Sequence, residues 1–333
     1  MEKNKNESIS IIGGAGFLGT RLSKLLKNDH INHNIYDLND KVTSNQVIKV
    51  DIENLDSLSA IKDHNSIVNL AALHRDDIRP ITRYDEVNIK GSENVCNAAR
   101  KYGINKIVFT SSVAIYGFAK PDTGEDGQPN YFNDYGRTKY LAEQIYKDWQ
   151  EEDKENRTLV IVRPTVIFGE GNRGNVYNLL KQIASKKFIM IGSGCNKKSM
   201  AYVENVAAFL KYSLSFNPGI HVYNYIDKPD MDMNTLVSKV RHKLFNKNNV
   251  GIRLPAIFGF LLGYIADSIS FVSRKNLPIS SIRIKKFLGT TQFSSSINHT
   301  GFIPPVTLEE GLERTIYYEF IEDNSDKLTF DTE

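Results

Sequence analysis

The chain has 333 residues, of which 41% are hydrophobic and 24% charged, and its net charge is +3. That profile excludes a disordered or fibrous chain and leaves room for one large α/β domain or two smaller ones around a sizeable core. The near balance of charge, with "RIKK" at 283–286 as the densest basic cluster, also argues against a nucleic-acid partner.

The polar opening "MEKNKNESIS" lacks the apolar core of a signal peptide. Cys96 and Cys195 are the only cysteines, too few for a disulfide framework or a zinc site, so a reducing, cytoplasmic setting without a metal is expected. "SISIIGG" reads as a buried strand, "GFLGTRLSKLLKND" as a helix and "HNIYDL" as a second strand. Further strands are expected at "QVIKVD", "SIVNLAA", "KIVFTSS" and "TLVIVRP", with helices such as "SENVCNAARKYG" between them. Short apolar runs separated by helices imply an α/β fold, a doubly wound parallel sheet covered on both faces. The expected division is a dinucleotide-binding unit over 1–170 and a smaller substrate-binding lobe over 171–333. Residues of about 201–225, with the helix "VENVAAFLKYSL", are expected to return to the core.

"GGAGFLG" places Gly13, Gly16 and Gly19 between the first strand and the first helix. Glycines there let the backbone turn tightly and approach a pyrophosphate at a helix N-terminus. Asp37 ends the second strand, where a carboxylate accepts hydrogen bonds from ribose hydroxyls and repels a 2′-phosphate, so NAD is expected rather than NADP. Asp51, at the end of the next strand, is placed to flank the adenine. In "DYGRTKYLAEQIYKDW" Tyr135 and Lys139 stand one helical turn apart, about 6 Å of rise, and so leave from the same face.

Taken in order, "GGAGFLG", "YDL", "VDIEN", "NLAAL", "VNIKGSENV", "TSSVAIYG", "YGRTK" and "RPTVIFG" resemble the extended short-chain dehydrogenase/reductase family, in its branch of nucleotide-sugar epimerases and reductases. The resemblance implies a catalytic trio of Ser112, Tyr135 and Lys139, with Ser111 as the neighbour of the first. Tyr is a poor base at neutral pH until positive charge stabilises its phenolate, which Lys139 can supply. The resemblance also implies cofactor contacts from Phe17, Leu18, Ile52, Leu70, Ala71, Ala72, Asn88 and Pro164, and a homodimer through a four-helix contact. Substrate contacts are expected from Ser112, Tyr135, Asn175 and Lys198. Two positions depart from the family: Val166 stands where Asn is common, and Lys198 stands where many members have an Arg, whose planar fork Lys lacks.

The expected activity is NAD-dependent 4-epimerisation of a UDP-hexose or UDP-N-acetylhexosamine through a 4-keto intermediate. The alternatives are an NAD(P)H-dependent 4-ketoreductase of a deoxy nucleotide sugar and a cofactor-sensing binding protein on a dehydrogenase fold. "LPISSIRIKKF" and "GFIPPVTLEEGLERTIYYEF" resemble relatives associated with bacterial surface polysaccharides. "LPAIFGFLLGYIA", 254–266, is too short to span a bilayer and reads as a buried or lobe-lining helix, with shallow membrane contact as the other option.

Overall fold

The computed structural model describes residues 7–39, 46–75, 78–273, 280–324 and 326–331; the first six residues of the polar opening lie outside them. The first half runs β1 (Ser8–Ile12), α1 (Phe17–Asn28), β2 (Asn32–Asp37), β3 (Val47–Lys49), β4 (Ser66–Asn69), α2 (Thr82–Tyr84), α3 (Gly91–Tyr102), β5 (Lys106–Thr110), α4 (Asp134–Glu151) and β6 (Thr158–Pro164). There follow β7 (Val166–Phe168), α5 (Asn175–Ala184), β8 (Met190–Ile191), β9 (Lys197–Tyr202), α6 (Val203–Ser213) and β10 (Gly219–Tyr225). The chain continues through β11 (Asp227–Asp232), α7 (Met233–Phe245), β12 (Arg253–Leu254), α8 (Ala256–Ser273), α9 (Ser281–Leu288) and α10 (Leu308–Phe320).

Seven strands form one sheet in the order β10-β6-β5-β4-β1-β2-β3, and every pairing in it is parallel. β4 and β6 are buried along their whole lengths, which is why they read as continuous apolar runs rather than as an alternation. Side chains on one face, including Ile9, Ile11 and Val68, pack with Leu22 of α1 and Leu210 of α6. Those on the other face, including Ile12, Ile67 and Ile161, pack with Val95 of α3 and Tyr146 and Trp149 of α4. The strand order reverses between β1 and β4, so a crevice opens at their carboxyl ends, the place where such sheets bind ligands.

Residues 203–225 supply α6 and β10 to this layer. The remainder builds a three-stranded sheet, β11-β9-β7, and a two-stranded pair, β8 with β12. Helix α8 differs from the buried helix that its apolarity suggests. Its packed edge carries Gly259 and Gly263, where a Cβ would lie 2.5 Å from Ile191 and 2.9 Å from the Ser281 backbone. Most of its large apolar side chains face outward instead.

Candidate active site

The crevice is lined first by the glycine loop. Gly13 has φ +76°, a left-handed conformation that favours glycine, and a Cβ there would lie 2.6 Å from the Ala71 nitrogen. A Cβ on Gly19 would lie 2.5 Å from Gly14 Cα, so only glycine lets α1 start this close to the loop. Gly16 caps α1 without a side-chain hydrogen bond, which leaves first-turn N–H groups for another acceptor. Phe17 and Leu18 bury their side chains in the core, so what they offer at the helix start is backbone. Gly14, not singled out from the sequence, is as constrained: its Cβ would lie 2.7 Å from Ile35 Cγ2.

Asp37 closes the next side. Its Oδ2 accepts the Ala15 N–H at 3.0 Å, so the carboxylate at the end of β2 is held against the glycine loop. Asp51 forms an Asx turn, Oδ1 accepting the Glu53 N–H at 2.9 Å. Ile52 is a core residue packed on Gly91, and its carbonyl accepts Asn94 Nδ2 at 2.8 Å. The Leu70 N–H donates to the Ile12 carbonyl and the Ala71 N–H to Asn69 Oδ1, which carries the Leu70–Ala72 segment past Gly13. Pro164 ends β6, buried opposite Tyr225.

Helix α4 carries Tyr135, Lys139 and Glu143 along one stripe, a turn apart. Asn133 caps it, Oδ1 accepting the Gly136 N–H at 2.9 Å. Tyr135 lies in the first turn, half-buried. Ser112 caps the short turn Val113–Tyr116, its Oγ accepting the Ala114 N–H at 3.1 Å, and α4 begins against that turn at Gly136. Lys139 is only 3% exposed; its Nζ donates to the Thr110 carbonyl at 2.7 Å and sits 4.7 Å from the centre of the Phe109 ring. Burial pushes the Lys139 ammonium down to about 7, while the Glu143 carboxylate one turn along pulls it upward.

Glu143 is fully buried and saturated. Ser111 Oγ donates to its Oε1 at 2.5 Å, and Arg163 donates to both oxygens, Nε to Oε1 at 2.8 Å and Nη2 to Oε2 at 2.6 Å. Arg163 Nη1 also donates to Tyr116 Oη at 2.6 Å, and that hydroxyl donates to Asn224 Oδ1 at 2.9 Å. Ser111 is therefore turned into the core, while Ser112 stays partly exposed as the cap of the turn. A bidentate pair with its remaining donors used is the arrangement in which buried charge is tolerated.

Asn88 ties the two halves of the site. It lies in a π-helical segment, Asp85–Lys90, that joins α2 to α3. Its Nδ2 donates to the Leu73 carbonyl and to Thr138 Oγ1, both at 3.0 Å, and its Oδ1 accepts the Leu73 N–H at 2.8 Å. The segment after β4 is thereby joined to the residue beside Lys139. The substrate-side positions are more dispersed. Asn175 is exposed at the first turn of α5. Lys198 Nζ donates to the Lys286 carbonyl at 2.9 Å and to the Gly289 carbonyl at 2.5 Å, and burial lowers its pKa to about 8. That engages Lys198 with the end of α9. Val166 pairs with Met200 in the small sheet.

Glu143, Arg163 and Asn133 were not read from the sequence as site residues. Signals existed for two of them: Glu143 continues the 135, 139 stripe by one more turn, and Arg163 is a charge inside the buried strand "TLVIVRP".

The model of the NAD dependent epimerase/dehydratase family matches residues 9–224. The chain belongs to that family. It is accordingly an NAD-dependent enzyme with the extended short-chain dehydrogenase/reductase fold. A relative from Escherichia coli O157:H7, N-acetyl-alpha-D-glucosaminyl-diphospho-ditrans,octacis-undecaprenol 4-epimerase, is 44% identical over 98% of this chain and 100% of its own length. Two solved structures share the fold. They are UDP-N-acetylglucosamine 4-epimerase of Methanobrevibacter ruminantium (TM-score 0.74, 20% identity, 94% of this chain and 98% of that one) and UDP-glucose 4-epimerase of Thermus thermophilus in complex with NAD (0.71, 18%, 93% and 98%). The glycine cradle that any Cβ at Gly13 or Gly19 would fill, together with Asp37 against the loop, suits NAD.

Proposed function

We propose that the enzyme is a 4-epimerase of a hexose or N-acetylhexosamine held through a diphosphate, the linkage shared by nucleotide sugars and glycosyl-diphospho lipids. The observation that supports it most is the stripe of α4, where Tyr135 and Lys139 stand one turn apart on the face that meets the end of β5. The full-length likeness to a 4-epimerase of the same linkage points the same way.

NAD, when bound, supplies the acceptor and donor of hydrogen at the sugar C4. Tyr135 takes the proton of the C4 hydroxyl as C4 becomes a carbonyl and returns it after the 4-keto sugar has turned over its other face. Lys139 lowers the cost of the phenolate by its charge, one turn away in a dry pocket. Ser112 orients the C4 oxygen as a hydrogen-bond partner. Gly13, Gly16 and Gly19 would hold the pyrophosphate and Asp37 the adenosine ribose. Asn88 holds the Leu73 backbone and Thr138 in register, so that the cofactor wall and α4 move as one body.

Residues 1–170 with α6 and β10 form the cofactor unit in this reading, and the rest forms the substrate lobe. A homodimer and a cytoplasmic location belong to the same proposal; light scattering tests the first. The activity is tested with UDP-glucose, UDP-N-acetylglucosamine, their C4 epimers, and N-acetylglucosaminyl diphosphate on a short, water-soluble prenol. Interconversion of a C4 pair with only catalytic NAD supports the reading. Turnover confined to 4-keto-6-deoxy sugars, with one reduced cofactor consumed per product, replaces it with the ketoreductase.

A further inference from the structure

Helix α8 carries a dense run of exposed large apolar residues, seven of them between 257 and 269. Ile257 is 74% exposed, Leu261 56%, Leu262 50%, Tyr264 60% and Ile265 48%. Contiguous exposed apolar area of this kind marks an interaction surface. The opposite edge of α8 is closed, since Gly259 and Gly263 seat it on β8 and on the start of α9. No helix among the described residues is long and apolar enough to cross a membrane, and 18 residues of α-helix reach only about 27 Å.

Charge distinguishes among the partners such a face could take. Within 256–273 the single charged residue is Asp267, and its Oδ2 accepts the Ser281 N–H at 3.1 Å at the start of α9. Helix α9 then presents Arg283, Lys285 and Lys286, all exposed, with no acid between 280 and 290. An outward apolar helix beside a purely basic one complements an anionic bilayer, apolar chains below and phosphate headgroups at the rim.

The same hairpin adjoins the mouth of the active site. Lys285 Nζ lies 5.1 Å from the centre of the Phe118 ring and Lys286 Nζ 4.8 Å from that of Phe132. The two rings stack at 5.0 Å and are about half exposed. Phe118 follows the Ser112–Tyr116 turn by two residues, and Phe132 precedes Tyr135 by three. A surface that seats α8 would therefore lie beside the entrance to the Ser112–Tyr135 crevice.

We propose that the outward face of α8 and the basic face of α9 dock the enzyme on an anionic phospholipid bilayer, presenting its active site to a sugar carried on a membrane-bound lipid diphosphate. The docking surface stands on the geometry of α8 and α9; the role of its substrate rests on the epimerase reading above.

The test is flotation of the full-length protein with vesicles of phosphatidylethanolamine and phosphatidylglycerol, against vesicles of phosphatidylcholine alone. Wild type floats with the anionic vesicles and is released by high salt. Ile257→Glu with Leu261→Glu abolishes flotation, and Arg283→Gln with Lys285→Gln lowers vesicle partitioning by roughly fivefold per charge. Both double variants retain the wild-type turnover of a water-soluble substrate, which shows that they fold. A wild type that stays with the soluble fraction overturns the proposal, as do double variants that float like wild type. A wild-type dimer that the α8 variant dissociates, with no vesicle binding, assigns the face to a second copy and overturns it too. Epimerisation of a soluble substrate without vesicle binding removes the docking surface and leaves the proposed function standing; vesicle binding without epimerisation does the reverse.

Discussion

Gly136 and Ala114 meet so closely that a Cβ on Gly136 would lie 2.5 Å from the Ala114 carbonyl oxygen. This contact sets α4, which carries Tyr135 and Lys139, against the turn that Ser112 begins, two residues before Ala114. Gly136→Ala must push the two segments apart. The expected outcome is at least a tenfold loss of turnover with roughly 1–3 kcal/mol of destabilisation, read by kinetics and urea denaturation. Turnover equal to wild type would separate this contact from the alignment of Tyr135.

Asp37 is held by the Ala15 N–H at the end of β2. In the proposed reading, replacing it with Ala removes both a ribose acceptor and the charge that repels a 2′-phosphate. Weaker NAD binding and a relaxed preference against NADP are expected, measured by calorimetric titration with each cofactor. An unchanged preference would move the ribose contact elsewhere.

Arg163 and Glu143 form a buried pair in which the side chains are 6% and 0% exposed. Arg163→Met leaves the Glu143 carboxylate without its bidentate partner. A loss of about 3–5 kcal/mol is expected in denaturant titrations, with a larger loss than Arg100→Met, which breaks the exposed pair with Glu152. Equal losses would mean that the buried network contributes no more than a surface pair.

Lys139 gives a pH signature in the cofactor-free protein. Its folded pKa lies near 7, below the unfolded value, because burial disfavours the ammonium. Below about pH 7 both states hold the proton and the burial penalty is complete. Between about pH 7 and 10 the unfolded state holds the proton and the folded state does not, so the stability of wild type rises with pH relative to Lys139→Met. Denaturant titrations of both proteins at about pH 6 and 9 read the gap. A gap that stays constant or moves the other way contradicts a buried Lys139 that sheds its proton.

The doubly wound sheet was legible because β4 and β6 are buried along their whole lengths and β1 and β5 nearly so, which gives short, mostly apolar strands between helices. The glycine loop was legible because Gly13 and Gly19 meet steric demands that no other residue satisfies. The Glu143–Arg163 pair was obscured because the signal at each position, one more turn of the α4 stripe and a charge inside a buried strand, does not name its partner; only the fold brings positions twenty residues apart into one dry layer. Asn88 was readable as part of a motif, but its bridge to Thr138 depends on a π-helical register that no local pattern announces. For α8, apolarity suggested a buried or lobe-lining helix, with shallow membrane contact as the other option, and it does not say which edge packs; Gly259 and Gly263 close only one.

The most direct measurement uses substrate carrying deuterium at C4, incubated with enzyme and catalytic NAD, with the product read by mass spectrometry. A 4-epimerase that keeps the 4-keto sugar in one site must return the same hydrogen to C4. The predicted result is a C4-inverted product that retains its deuterium, formed without consumption of added reduced cofactor, at a rate that Tyr135→Phe lowers by roughly two orders of magnitude or more. Product that has exchanged its label for solvent hydrogen, or that forms only with one equivalent of reduced cofactor, contradicts it.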